Sequence, residues 1–222
     1  MNVKALYEVR FAGELEKRRK NAVWKTLCEH FFQRYISVNS CILDIAAGYC
    51  EFLNNIKAKQ KIAYDLNPLT QQYANPDITV QIQSFFDITP SSLSVDVIFA
   101  SNVFEHLNSK SDVITALELF HQVLRPSGKM LILQPNIRYT KEAYWDFIDH
   151  KIALTDLSLI EAAEMCGFKL VKNIPKFLPY TTKSRLPQRP FMVYLYLKLM
   201  PLSGWFFGQQ SFLMFEKAGE KK

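Results

Sequence analysis

Apolar residues recur every three to four positions from about Gly13 to Ile36, with Val23, Leu27, Phe31 and Tyr35 on one stripe, which predicts an amphipathic helix. The rhythm then changes. Cys41 to Ala46 is a short strand-like run that ends in small residues and Gly48, Cys50 to Lys57 looks like a helix start, and Lys61 to Leu66 reads as a second strand. Asn67-Pro68 breaks that strand and opens a short helix. Ile78 to Ile82 alternates apolar and polar residues and predicts a third strand. After the turn TPSSLS, Val95 to Ala100 is almost continuously apolar, which suits a strand covered on both faces. Val113, Leu117, Phe120 and Leu124 form the stripe of a helix over Asp112 to Leu124; Pro126-Ser-Gly128 ends it, and Lys129 to Gln134 is a fifth strand. Strands alternating with helices imply an α/β fold, a parallel sheet with helices on both faces.

The last third is organised differently. Asp156 to Cys166 is a helix closed by Gly167, and Lys169 to Ile174 and Ser211 to Glu216 are strands. Between them, residues 175–210 are rich in proline and aromatics, too long for a hairpin loop, and read as an insertion with structure of its own. The expected organisation is one domain over 1–222, with residues 1–40 as an N-terminal helical cap and 175–210 as an aromatic-rich insertion.

Composition narrows the class without choosing a partner. At 222 residues and 49% apolar, the chain can bury a sizeable core, and 14% aromatics excludes disorder. The longest clean apolar run, Phe191 to Leu197, is too short to span a bilayer. The four cysteines show neither a CxxC pair nor zinc-like spacing, so reduced thiols and a cytoplasmic location are the simplest expectation. A net charge of +6 permits anionic partners. Its densest cluster, Lys17-Arg18-Arg19-Lys20, is either a solvated helix face or an anion-binding patch.

The turn after the first strand carries the candidate chemistry. In an open α/β sheet the ligand lies beyond the carboxyl ends of the strands. A turn there needs small residues for close approach, and Ala46, Ala47 and Gly48 supply them. Asp65, ending the second strand, is placed to accept both hydroxyls of a ribose. Asp87, after Phe85-Phe86 at the end of the third strand segment, can bind an exocyclic amine beside an apolar slot. A dehydrogenase would want G-x-G-x-x-G here, yet two of the three glycines are missing, and Asp44 would repel a pyrophosphate.

These residues resemble the class I S-adenosylmethionine-dependent methyltransferases over roughly Ile42 to Gln134. Asp44 with Gly48 looks like the family's glycine-rich first motif, Asp65 like its ribose-binding acid and Asp87 like its adenine-contacting acid. Val95 to Leu107 is similar to its fourth-strand motif, and Leu124-Arg-Pro-Ser-Gly128 with KMLIL to its step into strand five. The tail, DHKIALTDLSLIEAAEMCGF and then PKFLPYTTKS, resembles a bacterial subgroup that tailors small molecules and glycans. The resemblance implies a Rossmann-like, doubly wound, mostly parallel seven-stranded sheet with a C-terminal antiparallel strand. It also implies S-adenosyl-L-methionine bound by Asp44, Ala46, Gly48, Asp65, Leu66, Phe86, Asp87, Ser101 and Asn102. One departure stands out: the family's alternate glycines are here Ala46, Gly48 and Cys50.

Methyl transfer from a sulfonium is an in-line displacement that needs alignment, a dry site and, for a hydroxyl acceptor, a base. His106 is the candidate base with Glu105 beside it; the alternative is a structural imidazole bonded to backbone. Glu105-His106 could also belong to a metal site, with His150 and Asp149 as the supply of further ligands. Adjacent helical residues point apart, however, so no metal ligand is assigned. Tyr139, Tyr144, Trp145, His150 and Tyr180 are the candidate acceptor contacts, and Tyr7, Arg10 and Phe11 a candidate N-terminal lid. The expected reaction is O-methylation of a sugar, glycan or other small hydroxylated metabolite. Residues 191–207 either pack on the domain or a second subunit, as in a homodimer, or meet a lipid-linked substrate at the inner membrane surface. Two other readings stay open: an inactive methyltransferase-like scaffold, and a nucleic-acid methyltransferase, which ranks lower because Ser101-Asn102-Val103-Phe104 lacks the prolines that grip a flipped base.

Overall fold

The computed structural model describes residues 13–179 and 189–219. Its strands are β1 (Cys41–Ile45), β2 (Gln60–Asp65), β3 (Ile78–Ile82), β4 (Val95–Ser101), β5 (Leu124–Pro135), β6 (Phe168–Leu178) and β7 (Gln210–Lys217). The helices are α1 (Glu14–His30), α2 (Glu51–Asn55), α3 (Thr70–Tyr73), α4 (Lys110–Val123), α5 (Ile137–Thr140), α6 (Asp156–Met165), α7 (Pro190–Lys198) and α8 (Leu202–Phe207). The strands order as β3-β2-β1-β4-β5-β7-β6 in a seven-stranded sheet. β2 runs parallel to β1 and β3, and β4 to β5, while β7 lies antiparallel to both β5 and β6. This is the Rossmann-like arrangement with its C-terminal antiparallel strand. Two compact units divide it, residues 13–85 with 189–200 and residues 86–179 with 201–219.

In the first unit, β1 is buried along its whole length, as its apolar run dictates. α1 turns Leu27 and Cys28 inward, and Phe31 and Phe32 follow into the core at its end. α7 packs on α1, with the rings of Tyr194 and His30 4.7 Å apart, edge to face. It buries Leu197 but leaves Phe191 and Leu199 exposed.

In the second unit, α4 begins with a reciprocal cap. The Asp112 amide donates to Ser109 Oγ at 3.1 Å, and the Ser109 amide donates to Asp112 Oδ2 at 3.2 Å. Val113, Ala116, Leu117, Phe120 and Val123 then bury one face at helical spacing. The helix stops at Val123, and β5 already pairs at Leu124, five residues before the predicted strand. Leu124 sits opposite Val95, but Lys129 opposite Val97, so Arg125 to Gly128 form a bulge within the strand. Ser127 takes φ 59° there, and a Cβ on Gly128 would lie 2.8 Å from the Arg125 carbonyl oxygen, so the step admits only glycine. Strand β6 also outruns its predicted end at Ile174, reaching Leu178.

Asp156, at the start of α6, is almost fully buried. It accepts from Asn136 Nδ2 (2.8 Å), Asn173 Nδ2 (3.1 Å) and Arg138 Nη1 (2.9 Å). Burial alone would raise this carboxyl; the hydrogen bonds from Asn173, Asn136 and Arg138 hold it below the ordinary carboxylate value.

Candidate functional site

Both candidate regions lie just past strand carboxyl ends, one in each unit. In the first unit the chain leaves β1 through a turn in which Ala46, Gly48 and Cys50 take φ of 55°, 58° and 57°. All three alternate positions are therefore left-handed, although only one is glycine. For Ala46 and Cys50 that conformation costs roughly 1–2 kcal/mol each. What holds the turn is its hydrogen bonding. The Ala47 amide donates to the Tyr64 carbonyl at 3.2 Å, the Cys50 amide to the Ala47 carbonyl at 2.9 Å, and the Thr70 hydroxyl to the Gly48 carbonyl at 2.7 Å.

Asp65, at the end of β2, is the hub. Its Oδ2 accepts from the Gly48 amide at 2.6 Å and its Oδ1 from the Asn67 amide at 2.7 Å. Burial pushes its carboxyl upward, and the Asn67 and Gly48 amides oppose that shift. Asp44 is buried in β1, and burial, reinforced by the negative charges of Asp65 and Glu51, pushes its carboxyl well above the usual range. A cationic group brought to it would reverse that balance. Leu66 is exposed. Asn67 and Thr70 are structural members of this turn that the sequence marked only as a break. The one available signal was the Asn-Pro pair, which shows that a chain turns and not what it bonds to.

In the second unit, β4 ends at Ser101, and Asn102 takes φ 53° while its amide donates to the Leu133 carbonyl at 2.8 Å. A 3-10 turn over Phe104–His106 follows. Phe86 and Asp87 are exposed; Asp87 lies in its own 3-10 turn, Phe85–Asp87, and not at the end of β3, which stops at Ile82.

The turn at 104–106 places two neighbouring side chains in one cluster. Glu105 is 1% exposed and His106 has a third of its side chain in solvent. Even so, Glu105 Oε1 lies 3.9 Å from His106 Nε2 and 4.0 Å from His150 Nε2. Residues 105 and 106 leave the 3-10 turn in different directions, yet their side-chain ends come within 4 Å of each other. Its other oxygen, Oε2, accepts from Gln134 Nε2 at 2.8 Å. Burial raises the Glu105 carboxyl, and the neighbouring His106 partly offsets this. His106 Nδ1 faces two acceptors, the Asp149 carbonyl at 3.1 Å and its Oδ2 at 3.3 Å. Two acceptors at Nδ1 favour a proton there, and Nε2 is turned toward Glu105 and His150. Asp149 and Gln134 support the cluster; the sequence weighed Asp149 as a ligand and gave no signal for Gln134.

The predicted acceptor contacts fall in different environments. Tyr144 is fully buried and its hydroxyl donates to the Ile152 carbonyl at 2.8 Å, so it is a packing residue whose ring lies against His150. Trp145 is exposed. Tyr139 is half-buried, with the cationic groups of Arg138 and Lys176 5.4 and 5.3 Å from its ring centre. Tyr180, like Tyr7, Arg10 and Phe11, lies outside the described residues.

The methyltransferase-domain family profile matches residues 15–173, so the chain belongs to that family. Together with the fold, this makes it an S-adenosylmethionine-dependent methyltransferase. The fold recurs in solved structures of low identity. One, at 13% identity and TM-score 0.70 over 100% of both chains, is described as the complex between the Haloferax volcanii Trm112 methyltransferase activator and a methyltransferase. A SAM-dependent methyltransferase from Archaeoglobus fulgidus aligns at 20% identity and TM-score 0.65, covering 97% of this chain and 100% of that one. The N-methyltransferase NodS from Bradyrhizobium japonicum, in complex with S-adenosyl-l-homocysteine, aligns at 11% identity and TM-score 0.57, covering 91% and 87%. No curated protein matches the chain. Among the described residues, no helix is long and apolar enough to cross a membrane.

Proposed function

We propose that the protein transfers the methyl group of S-adenosylmethionine to a hydroxyl of a sugar, glycan or other small hydroxylated metabolite. The donor side of this reading rests on the turn in the first unit. Asp65 keeps a second acceptor site on each oxygen for ribose hydroxyls, left-handed Ala46, Gly48 and Cys50 open the backbone to close approach, and buried Asp44 attracts the donor's ammonium. Leu66 is a further contact proposed in that unit; Phe86, Asp87, Ser101 and Asn102 are proposed as cofactor contacts on the sequence resemblance.

The observation that favours oxygen as the acceptor is the Asp149–His106 pair. Asp149 fixes the Nδ1 proton, so Nε2 is free to take the proton of a hydroxyl. As it does so, the oxygen–carbon bond forms and the carbon–sulfur bond breaks, leaving a neutral thioether and an imidazolium beside the Glu105 carboxylate. Calorimetric titration with S-adenosylhomocysteine, with NAD as control and Asp65→Ala beside it, tests the donor side. Binding of the thioether alone, lost in the variant, supports the reading; NAD binding overturns it. No binding by folded protein would favour the inactive scaffold.

An acceptor carried on a lipid is favoured by α8. Trp205 and Phe206 are 70% and 68% exposed, Leu202 and Phe207 are exposed beside them, and Lys176 Nζ lies 5.2 Å from the Trp205 ring centre. A short apolar helix with a cation against it suits an anionic headgroup layer. Flotation with anionic liposomes, lost in Trp205→Ser/Phe206→Ser, is the expected outcome; protein left at the bottom of the gradient would remove this acceptor class.

A further inference from the structure

We propose that Glu105, His106 and His150 form a binding site for one divalent cation of the borderline class, such as Zn²⁺, Co²⁺ or Ni²⁺. One atom from each side chain, Oε1 and the two imidazole nitrogens, lies within 4.8 Å of the others. Two imidazoles and a carboxylate are the donor set such ions prefer over calcium or magnesium, which favour all-oxygen cages.

The ligands are supported as well as grouped. Gln134 occupies Glu105 Oε2, which directs Oε1 at the imidazoles, and Oε1 is buried without a hydrogen-bond donor. A carboxylate oxygen hidden from water and given no proton donor is costly unless a cation completes it. His106 presents Nε2 while its Nδ1 is held by Asp149, the outer partner that metal-bound imidazoles usually have. The His150 ring is fixed by Phe147, stacked at 5.2 Å, and by Tyr144 at 4.9 Å edge to face. An ion bonded at about 2.0–2.2 Å would draw the three atoms slightly closer, which the part-exposed His106 ring can supply by rotation. Three protein ligands leave positions open for water or an oxygen of the acceptor.

The absence of a recognisable spacing explains why the sequence led to no metal assignment: the third ligand is 44 residues beyond His106, at a distance only the fold sets. The ion's use rests on the proposed methyl transfer, but its binding does not. A loaded ion would occupy the Nε2 that otherwise takes the acceptor's proton, so base and ligand are alternative states of one imidazole.

The test is titration of the chelator-treated full chain with Co²⁺, read by visible absorption. We expect one equivalent, with the spectrum of nitrogen and oxygen ligands and no thiolate charge-transfer band. Affinity should fall at least tenfold in Glu105→Gln and in His150→Ala. His106→Asn, at a part-exposed position, is the third variant, and circular dichroism verifies that each is folded. No binding, binding unchanged in all folded variants, or a thiolate band from the cysteines would overturn the proposal. S-adenosylhomocysteine titrations on the same samples separate the two readings. Loss of thioether binding with Co²⁺ binding intact defeats the cofactor reading alone; the reverse defeats the metal site alone.

Discussion

Asp65 and Glu105 are both buried carboxylates at or just past strand ends, yet they are built for opposite purposes. Asp65 has an amide donor on each oxygen, both from backbone within its own unit. Glu105 has a side-chain donor on one oxygen and none on the other. The first is satisfied without a ligand, and each of its oxygens keeps a lone pair with which to accept a ribose hydroxyl. The second is incomplete, and its unmet oxygen faces two imidazoles. A satisfied acid shapes a surface for a neutral ligand, whereas an unsatisfied one demands charge.

The comparison breaks most visibly if Asp65 is removed. Two charge-assisted bonds to hydroxyls contribute about 1.5–3 kcal/mol each. Asp65→Ala should therefore weaken S-adenosylhomocysteine by at least about a hundredfold in calorimetry.

Asp156, with three donors, extends the comparison to a purely structural acid. Asp156→Ala strands two amides at roughly 1–3 kcal/mol apiece and should lower chemical-denaturation stability by about 3 kcal/mol. Because its folded pKa is depressed, the wild-type advantage is present above about pH 4 and disappears as pH falls through the folded value.

Glu105→Gln should act in the other direction in metal-free protein. The folded pKa of Glu105 is raised, so its favourable contribution is full below about pH 4 and lost as pH rises through the folded value. The glutamine variant should be the more stable by about 1 kcal/mol at pH 8, and that gain should shrink toward acid in thermal melts. The smallest effect concerns Asp44. A ligand ammonium favours its ionised form, so binding should release protons and tighten with rising pH by less than tenfold per unit. Calorimetry in buffers of different ionisation enthalpy measures it.

The same contrast explains what could be read from the chain alone. β1, β3 and β4 were legible because burial on one or both faces writes itself into a few consecutive residues. Asp65 was legible because its function depends on being the last residue of a strand. The cluster at Glu105 was not, since it joins a 3-10 turn to His150 and to Gln134 across the sheet register. The helix period assumed for residues 105 and 106 pointed their side chains apart. The extension of β5 back to Leu124 was hidden for another reason: Pro126-Ser-Gly128 has turn chemistry, but the turn is a bulge within a strand.

The alternate left-handed residues at 46, 48 and 50 carry a further consequence. The loop's shape is encoded in its torsion angles, and the glycine letters are only the least strained spelling of it. Two positions of the three hold other residues while the neighbouring hydrogen bonds keep the backbone path, and the strain is stored in the folded state. Restoring glycine at Ala46 and Cys50 would release that strain, and relatives that have lost even Gly48 would be found by matching dihedral angles where a search for glycines finds nothing.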